Sequence, residues 1–377
     1  MSETPRRSEE RRAATLSDVA ALAGVSPGTA SKALNGRGNL RPETRERVTE
    51  AARKLGFHPN EAARSLLSGR TYTVGLITTD SVGRFSLPVL LGAEDALGAG
   101  RISVFLCDTR GDAIREQHYV STLLSRRIDG LIVAGRRTDA RPPLALPAPV
   151  PVVYAFGPST DAGDASVAPD DAGGARLAIE HLLATGRRRI AHITGPVHHA
   201  AATVRAEHAA RALAEAGLEP AGGRALFGEW SEAWGRQGVH AALRADPEVD
   251  AVFCGSDQIA RGAADALRES GYRVPEDIAL AGYDNWEVMA AATRPPLTTV
   301  DMNLTEVGRT AALRLMEAID GRPSRGVEFV PSRLVVREST GTSPTTPTTP
   351  TTPTGGDVPS ASSGGGTAGG RRSTDRT

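Results

Sequence analysis

From residue 72 onward, apolar runs of strand length alternate with amphipathic helical stretches, and no other feature constrains the fold of this chain as strongly. The predicted strands read TVGLITTD, ISVFLCD, DGLIVAG, PVVYAF, RRIAHITG, DAVFCGSD and DIALAGYD, with RLVVRES as the last. Helices such as DDAGGARLAIEHLLATG and SDQIARGAADALRESG lie between them. This alternation predicts parallel sheets covered by helices on both faces. Because the strands are too many for one sheet, we expect an α/β core of two doubly wound lobes, divided near residue 165.

A different pattern precedes this core, and it predicts an all-α head with helices in TLSDVAALAG, SPGTASKAL and PETRERVTEAARKLG. Thr15 and Asp18 have the spacing of a capping box, which begins the first helix. Ser26 caps the second helix, and Pro27 takes its first position, where a missing N–H costs nothing. Two helices joined by so short a turn are typical of the helix-turn-helix motif, whose second helix enters the major groove of DNA.

The charge distribution favours DNA binding over the plain helical hairpin that the same pattern permits. Over all 377 residues, 44 Lys and Arg balance 44 Asp and Glu. Residues 1–70, however, hold 13 basic and eight acidic residues, a net charge of +5, which leaves −5 for the remainder. A basic segment ahead of an acidic body is expected when only that segment meets a polyanion.

Several other classes of protein are not expected. The N-terminus MSETPRRSEERR lacks the apolar region of a secretory signal, and no run is long enough to span a membrane, so we expect a cytoplasmic, nucleoid-associated protein. Cys107 and Cys254 stand in apolar runs and are expected to be buried thiols. No GxSxG motif or acid/base pair indicates an enzyme, and His198 and His199 are interpreted as a solvated loop. We therefore predict neither a metal site nor another cofactor.

Acidic residues follow several predicted strands, namely Asp80, Asp108, Asp170, Asp257 and Asp284. Ligands of open α/β sheets bind at the carboxyl ends of the strands. Carboxylates there, with Arg205 and Trp230 in nearby loops, suit a small polyhydroxylated molecule. Carboxylates accept hydrogen bonds from hydroxyl pairs, Arg donates them, and Trp offers a flat apolar face. The alternative is that these acids cap the helices that follow, and the sequence leaves Asp257 open between the two interpretations.

Long motifs at both ends of the chain resemble the LacI/GalR family of bacterial repressors. The first are TLSDVAALAGVSPGTASKALNG and PETRERVTEAARKLGFHPNEAARSLLSGRTYTVGLI. The others are IEHLLATGRRRIAHITGP, FCGSDQIARGAADAL, IALAGYDN and PPLTTVDMN. The resemblance covers roughly residues 14–340. It implies a homodimer, with a tetramer left open, in which each monomer has a helix-turn-helix head, a hinge helix that forms on DNA, and two periplasmic-binding-protein-like lobes that clasp an effector.

Pattern, composition and resemblance together divide the chain into segments of different kinds. They are a disordered N-terminus (1–13), a helix-turn-helix DNA-binding domain (14–59), a hinge helix and linker (60–70), a two-lobed effector-binding and dimerisation domain (71–340), and a disordered Thr/Pro/Gly-rich tail (341–377). The Thr-Pro repeat of the tail has no apolar residues with which to bury a core, so no fold is predicted for it.

The resemblance implies DNA contacts in the head and in the hinge. Lys32 of the recognition helix stands where the family usually has Arg, and Lys reaches guanine O6 and N7 as a single donor rather than a fork. Leu66 matches the family's leucine wedge, which opens a base step in the minor groove, with Ala63 beside it. The full set of predicted contacts is Thr15, Leu16, Ser26, Pro27, Gly28, Thr29, Ser31, Lys32, Asn35, Asn60, Ala63 and Leu66.

The resemblance also implies an effector site between the lobes. The family's effector positions are matched by Arg205, Trp230, Asp257 and Asp284. The segment SVGRFSLP replaces the family's Asn-Pro-Phe-Phe and brings Arg84 and Phe85 near the pocket. Ser256 stands where the family commonly has Asn. With two residues of the predicted strands added, the expected effector set is Arg84, Phe85, Asp108, Tyr154, Arg205, Trp230, Asp257 and Asp284.

We therefore predict a DNA-binding transcriptional regulator, a repressor, that binds a palindromic operator in double-stranded DNA as a dimer under the control of a sugar. A purine or a protein co-regulator is the alternative within the same architecture. From other classes, a solute-binding protein shares the two-lobed core, and an enzyme shares the doubly wound fold. The missing secretory signal and the basic head disfavour the first, and the missing catalytic pair disfavours the second.

Overall fold

The structure, a computed structural model, describes residues 14–34, 38–57, 70–98, 102–145 and 150–341. The predicted disordered N-terminus lies outside these ranges, as do Asn35, the hinge residues Asn60, Ala63 and Leu66, and all but the first residue of the predicted tail. No helix within the ranges is long and apolar enough to cross a membrane.

The head contains α1 (Leu16–Ala23), α2 (Pro27–Leu34) and α3 (Pro42–Leu55), which confirms the three predicted helices. The capping box is present, because the Thr15 N–H donates to the Asp18 carboxylate at 2.8 Å and the Asp18 N–H donates to the Thr15 hydroxyl at 3.3 Å. Gly24 ends α1 in the left-handed conformation, with φ 64°. The three helices share a small buried core of Val19, Ala20, Ala23, Ala30, Ala33, Val48, Ala51 and Ala52.

The rest of the described chain alternates strands and helices. In chain order the strands are β1 (Thr73–Thr78), β2 (Ser103–Asp108), β3 (Gly130–Ala134), β4 (Val152–Ala155), β5 (Ala165–Pro169), β6 (Ile190–Thr194), β7 (Leu226–Phe227), β8 (Ala251–Cys254), β9 (Ala279–Tyr283), β10 (Thr298–Asp301), β11 (Gly326–Val330) and β12 (Arg333–Val335). The helices are α4 (Ser86–Leu97), α5 (Ala113–Ser125), α6 (Asp171–Ala184), α7 (Ala200–Glu215), α8 (Glu232–Ala245), α9 (Asp257–Glu269), α10 (Glu287–Ala290) and α11 (Leu304–Ile319). Short 3₁₀ turns occur at Ala221–Gly223 and Glu338–Thr340.

These strands form two six-stranded sheets, one in each lobe. The first has the order β11-β5-β4-β3-β1-β2, and all its neighbouring strands are parallel. The second has the order β12-β10-β9-β8-β6-β7 and is parallel except for β12, which runs antiparallel to β10. The prediction of a helical head followed by two doubly wound parallel sheets is therefore confirmed.

The chain passes between the lobes three times, after β5, after β10 and after β11. A single division near residue 165 is therefore incomplete, because α11 packs on the first sheet and β11 joins its edge. The sequence pattern of β11 did not reveal this return. Its residues Val327 and Phe329 are 42% and 63% exposed, so the strand lacks the continuous apolar run of a buried parallel strand.

Each lobe contains one pair of helices that cross with their backbones in contact. In the first lobe, a Cβ added to Gly308 of α11 would lie 2.0 Å from the carbonyl oxygen of Val89 in α4, and Gly92 of α4 faces α11 in the same way. In the second lobe, Gly235 of α8 and Gly262 of α9 have the same reciprocal relation. No side chain larger than hydrogen fits at these crossings, so the glycines set how closely the helices approach.

Replacing Gly308 by Ala is expected to lower the free energy of unfolding by about 3 kcal/mol, because the new methyl group meets backbone that cannot rotate away. Urea unfolding followed by circular dichroism measures the change. The control is Leu313→Ala on the same helix, at a side chain that is 51% exposed. It should shift stability by about 0.5 kcal/mol or less. Equal losses in the two variants would contradict a backbone-limited crossing.

Candidate functional site

The second helix of the head has a buried face and an exposed face. Ala30 and Ala33 pack into the head core. The residues predicted to read DNA lie elsewhere on the helix, with Pro27, Gly28 and Lys32 exposed and Thr29 and Ser31 half-buried. The exposed face of α2 therefore combines small side chains, which permit close approach to a duplex, with a basic side chain in its last turn.

Other predicted DNA contacts also have structural roles within the head. The Thr29 N–H donates to the Ser26 hydroxyl at 3.2 Å, and the two hydroxyl oxygens are 2.9 Å apart. The Thr15 hydroxyl donates to Asp18 at 2.7 Å, and Leu16 packs against the head core. Asn35, Asn60, Ala63 and Leu66 lie outside the described residues, so their assignment stays a prediction.

A cavity of about 240 Å³ lies between the lobes, where the carboxyl ends of both sheets meet. The first lobe contributes residues that follow β1, β3 and β4. The second lobe contributes residues from α7 and from the loops after β6 to β10. The lining consists of Arg84, Phe85, Arg136, Arg137, Thr138, Asp139, Phe156, His199, Ala201, Arg205, Trp230, Ser256, Asp284 and Met302. This position is where ligands bind in open α/β sheets.

The structure brings together five of the eight predicted effector residues, and these are Arg84, Phe85, Arg205, Trp230 and Asp284. Asp108 and Tyr154 do not line the cavity. Asp108 ends the outermost strand of the first sheet, and its carboxylate accepts the N–H of Arg110 at 2.8 Å. Tyr154 is buried, and its hydroxyl accepts the N–H of Leu144 at 2.8 Å.

Asp257 is not in the lining either, and lies buried behind the cavity wall. It accepts the N–H of Trp286 at 2.6 Å and the hydroxyl hydrogen of Thr299. Burial, and then the nearby charge of Asp284, raise the pKa of Asp257 to about 8. The cap of α9 is Ser256 instead, whose hydroxyl accepts the Ile259 N–H at 3.2 Å. Asp257 therefore fixes the loop after β9 from behind.

The remaining strand-end acids follow the capping interpretation. Asp80 accepts the N–H groups of Phe85 and Ser86 at 2.7 and 2.9 Å, ahead of α4. Asp170 accepts the Gly173 N–H at 2.8 Å at the start of α6. Both carboxylates thus satisfy helix N–H groups that have no partner within the helix.

Asp284 differs from all of these acids in its backbone conformation. Its φ is 103°, and the φ of Asn285 is 49°, so two consecutive residues other than glycine lie on the positive side. Such conformations cost of order 1–3 kcal/mol each and persist only where the surroundings fix them. Strain of this kind concentrates at ligand sites, and here it holds the Asp284 carboxylate at the cavity.

A buried ion cluster surrounds the Asp284 carboxylate. Arg84, from the first lobe, forms an ion pair with it, and Arg205, from the second lobe, lies 3.5 Å away. Arg205 also donates to Asp171 at 2.8 and 3.0 Å and to the Gly255 carbonyl at 2.6 Å. Burial raises the pKa of Asp284, and the two guanidinium groups oppose that rise. The cluster presents both hydrogen-bond donors and acceptors to the cavity.

Aromatic side chains supply the apolar surface of the cavity. The rings of Phe85 and Phe156 stack with centroids 5.0 Å apart at an interplanar angle of 19°. Trp230 belongs to the second lobe, and its Nε1–H donates to Nδ1 of His199 at 2.7 Å. Flat apolar faces beside carboxylates and guanidinium groups suit a small ligand that has both an apolar face and polar substituents.

Hydrogen bonds join the lobes directly at the rim of the cavity. The Thr138 hydroxyl donates to Asp171 at 3.2 Å, and the Ala200 N–H donates to Asp139 at 2.9 Å. The cavity lies beside these bonds, and its wall includes residues of both lobes. A molecule that binds one arrangement of the lobes more tightly than another shifts the equilibrium toward that arrangement.

Sequence reasoning missed the segment Arg136–Asp139, although it directly follows the predicted strand DGLIVAG and the strand-end rule would have included it. The interpretation of His199 as part of a solvated loop is wrong, because its ring is half-buried and hydrogen-bonded to Trp230. Phe156 and Met302 were also missed, and no local pattern distinguishes them from core residues.

Two sequence families match the chain. The family described as "Bacterial regulatory proteins, lacI family" matches residues 15–60, and "Periplasmic binding protein-like domain" matches residues 179–340. Among curated proteins, the HTH-type transcriptional regulator CelR of Thermobifida fusca is 36% identical and covers 88% of this chain and 99% of its own. The HTH-type transcriptional repressor PurR of Aliivibrio salmonicida is 32% identical and covers 86% of this chain and 98% of its own.

Solved structures agree with these matches. A complex of the transcriptional regulator CelR with cellobiose is 33% identical, has a TM-score of 0.60, and covers 86% of this chain and 99% of its own. A lac repressor dimer bound to operator and the anti-inducer ONPF is 28% identical, has a TM-score of 0.67, and covers 88% of this chain and 100% of its own.

Fold and site together define a ligand-responsive regulator, in which a DNA-binding head precedes a two-lobed core with a cavity between the lobes. The chain belongs to the LacI family of bacterial regulatory proteins. It is a DNA-binding transcriptional regulator with an effector domain, in a family of regulators rather than enzymes.

Replacing Asp284 by Ala is expected to lower the free energy of unfolding by about 3–5 kcal/mol, because Arg84 and Arg205 lose a buried partner. Urea unfolding measures the loss. The control is Glu287→Gln on the neighbouring helix, which removes an exposed pair with Arg337 and should cost about 0.5 kcal/mol or less. If Asp284→Ala lowers the free energy of unfolding as little as the control does, the ion cluster does not stabilise this arrangement of the lobes.

Proposed function

We propose that this protein is a repressor that binds a palindromic operator as a homodimer and whose operator affinity changes when a sugar occupies the cavity between the lobes. The observation that carries the proposal is the composition of the cavity wall. Both lobes contribute charged and aromatic side chains to a single cavity. A ligand that contacts both lobes is suited to control how they are arranged.

The chemistry of the wall supports a sugar. Asp284 and Asp139 offer carboxylate oxygens to hydroxyl groups, and Arg205 is placed to donate to ring or hydroxyl oxygens. Trp230 and Phe85 offer apolar faces to the C–H side of a pyranose ring. The solved CelR complex contains cellobiose, which supports the same class of ligand for this chain.

The proposed mechanism is a shift between two arrangements of the lobes. Arg84 reaches across the cleft to Asp284, so a ligand hydroxyl that bonds to Asp284 competes with or reinforces a contact between the lobes. The changed arrangement alters the spacing of the two heads in the dimer. Because the two binding events are linked, sugar and operator must change each other's affinity by the same factor.

The dimer and its operator follow from symmetry. The related lac repressor was solved as a dimer on its operator, which supports the same assembly here. A two-fold dimer presents two copies of α2, so each half of the operator should repeat the other in inverted orientation. An operator of about 14–20 bp accommodates two adjacent heads.

Calorimetry of the full chain with monosaccharides, disaccharides and nucleobases is expected to reveal binding of a sugar. The sugar should change the affinity for an operator selected from random DNA by about 5- to 150-fold, as measured by fluorescence anisotropy. Trp230→Ala should weaken the sugar at least about tenfold, since it removes the stacking face. Tyr272→Ala, an exposed aromatic outside the cavity, is the control. Binding of a nucleobase without binding of any sugar would contradict the proposal.

Leu66→Ala is expected to weaken binding to the selected operator by at least about tenfold while leaving the affinity for random DNA nearly unchanged. The reason is that the wedge contributes only where the central base step opens. Anisotropy with both DNAs measures the ratio. Leu55→Ala at the end of α3, an exposed leucine in the head, is the matched control. Equal losses on the two DNAs would refute the wedge assignment.

A further inference from the structure

Two arginines beside the effector cavity have no ion-pair partner within the described part of the chain. They are Arg110, after β2, and Arg136, after β3. Both line a second cavity of about 460 Å³ at the carboxyl edge of the first sheet. Arg141, in the same wall, is instead neutralised by Glu116 through two contacts of 2.9 Å. The second cavity therefore has unbalanced positive charge.

The second cavity adjoins the first. Arg136, Arg137 and Asp139 line both, so a ligand in one cavity can extend into the other past these side chains. Gly157 lies on the wall of the second cavity, and a Cβ there would stand 2.6 Å from the Arg137 carbonyl oxygen. Of the charged side chains at the shared boundary, Arg137 pairs with Asp139 at 3.3 Å, which leaves the charge of Arg136 uncompensated within the described residues.

The hydrogen bonds of His199 point independently to a missing acceptor at this boundary. One ring nitrogen faces the Trp230 Nε1–H at 2.7 Å, and the other faces an Arg137 guanidinium nitrogen at 2.9 Å. Indole and guanidinium groups are donors only. Burial and the charge of Arg137 lower the pKa of His199, which favours the neutral ring.

A neutral imidazole has one acceptor nitrogen and one N–H, so it satisfies only one of its two neighbours. The indole contact is the shorter of the two, so we assign the acceptor nitrogen to it, and the imidazole N–H then faces the Arg137 guanidinium. Two donors are thus directed at one another with no acceptor between them. A ligand oxygen that accepts from both would complete the arrangement.

We propose that the effector is an anionic sugar, with its ring in the first cavity and a phosphate or carboxylate group against Arg136 and Arg137 at the boundary. Arg110 also lines the second cavity and adds to its positive charge. Guanidinium groups bind such oxyanions through paired, charge-assisted hydrogen bonds. This proposal rests on the proposed function and narrows the class of effector.

The test compares neutral and anionic sugars on the full chain by calorimetry. The probes are glucose, glucose 6-phosphate, gluconate, cellobiose, cellobionate and inorganic phosphate. At least one anionic sugar should bind about tenfold or more tightly than its neutral parent, and the ratio should fall as salt is raised. Arg136→Gln should remove this preference, and Arg110→Gln, at a side chain that lines only the second cavity, should reduce it while leaving the affinity for the neutral parent within about twofold.

The matched control is Arg115→Gln, because Arg115 is exposed on α5 and lines neither cavity. It should keep the preference for the anionic sugar. If a neutral sugar binds, changes operator affinity and is bound as tightly as its anionic derivatives, the anionic subsite is refuted and the proposed function stands.

Inorganic phosphate separates the remaining outcomes. If phosphate binds the wild-type chain but not the double variant Arg110→Gln/Arg136→Gln, and no sugar binds, the anion site is supported and the sugar proposal fails. If neither phosphate nor any sugar binds, both proposals are refuted.

Discussion

The buried guanidinium of Arg205 constrains the arrangement of the cleft between the lobes, because a buried charge is stable only while it is paired. Asp171 and Asp284 supply its partners from within the second lobe, and Arg84 adds a second cation from the first lobe. Removing one member leaves an uncompensated charge worth several kcal/mol. Under the proposed mechanism, separating the lobes would take Arg84 away from Asp284, so charge compensation at this carboxylate would couple the arrangement of the lobes to occupancy of the cavity.

The lobes are suited to move as rigid bodies around that cluster. Backbone contact at Gly308 in the first lobe and at Gly262 in the second leaves the crossed helices no room to slide inward. The segments that pass between the lobes follow β5, β10 and β11. Under the proposed mechanism, a change at the cavity would rotate the lobes about these segments, and the passage after β10 contains Met302, which itself lines the cavity.

The sequence best predicted the strands that are buried on both faces of a sheet. Strands covered by helices on both faces are continuous apolar runs, so the doubly wound core was predictable, whereas the edge strand β11 exposes three of its five residues. Arg205 was predicted in a loop near the strand ends, but it lies within the helix α7, where composition alone favours a solvated side chain. Asp108 was misplaced because strand order, which puts β2 at the sheet edge, is not encoded in strand pattern.

The head has little capacity to read bases through α2 alone. Ala30 and Ala33 face inward, the hydroxyls of Ser26 and Thr29 contact each other, and Lys32 donates from a single charged group. In the proposed dimer, two such heads share one operator, and joining them raises the effective concentration of the second head at its half-site. Under the proposed mechanism, an effector that changes the spacing of the heads would therefore change operator affinity without altering any base contact.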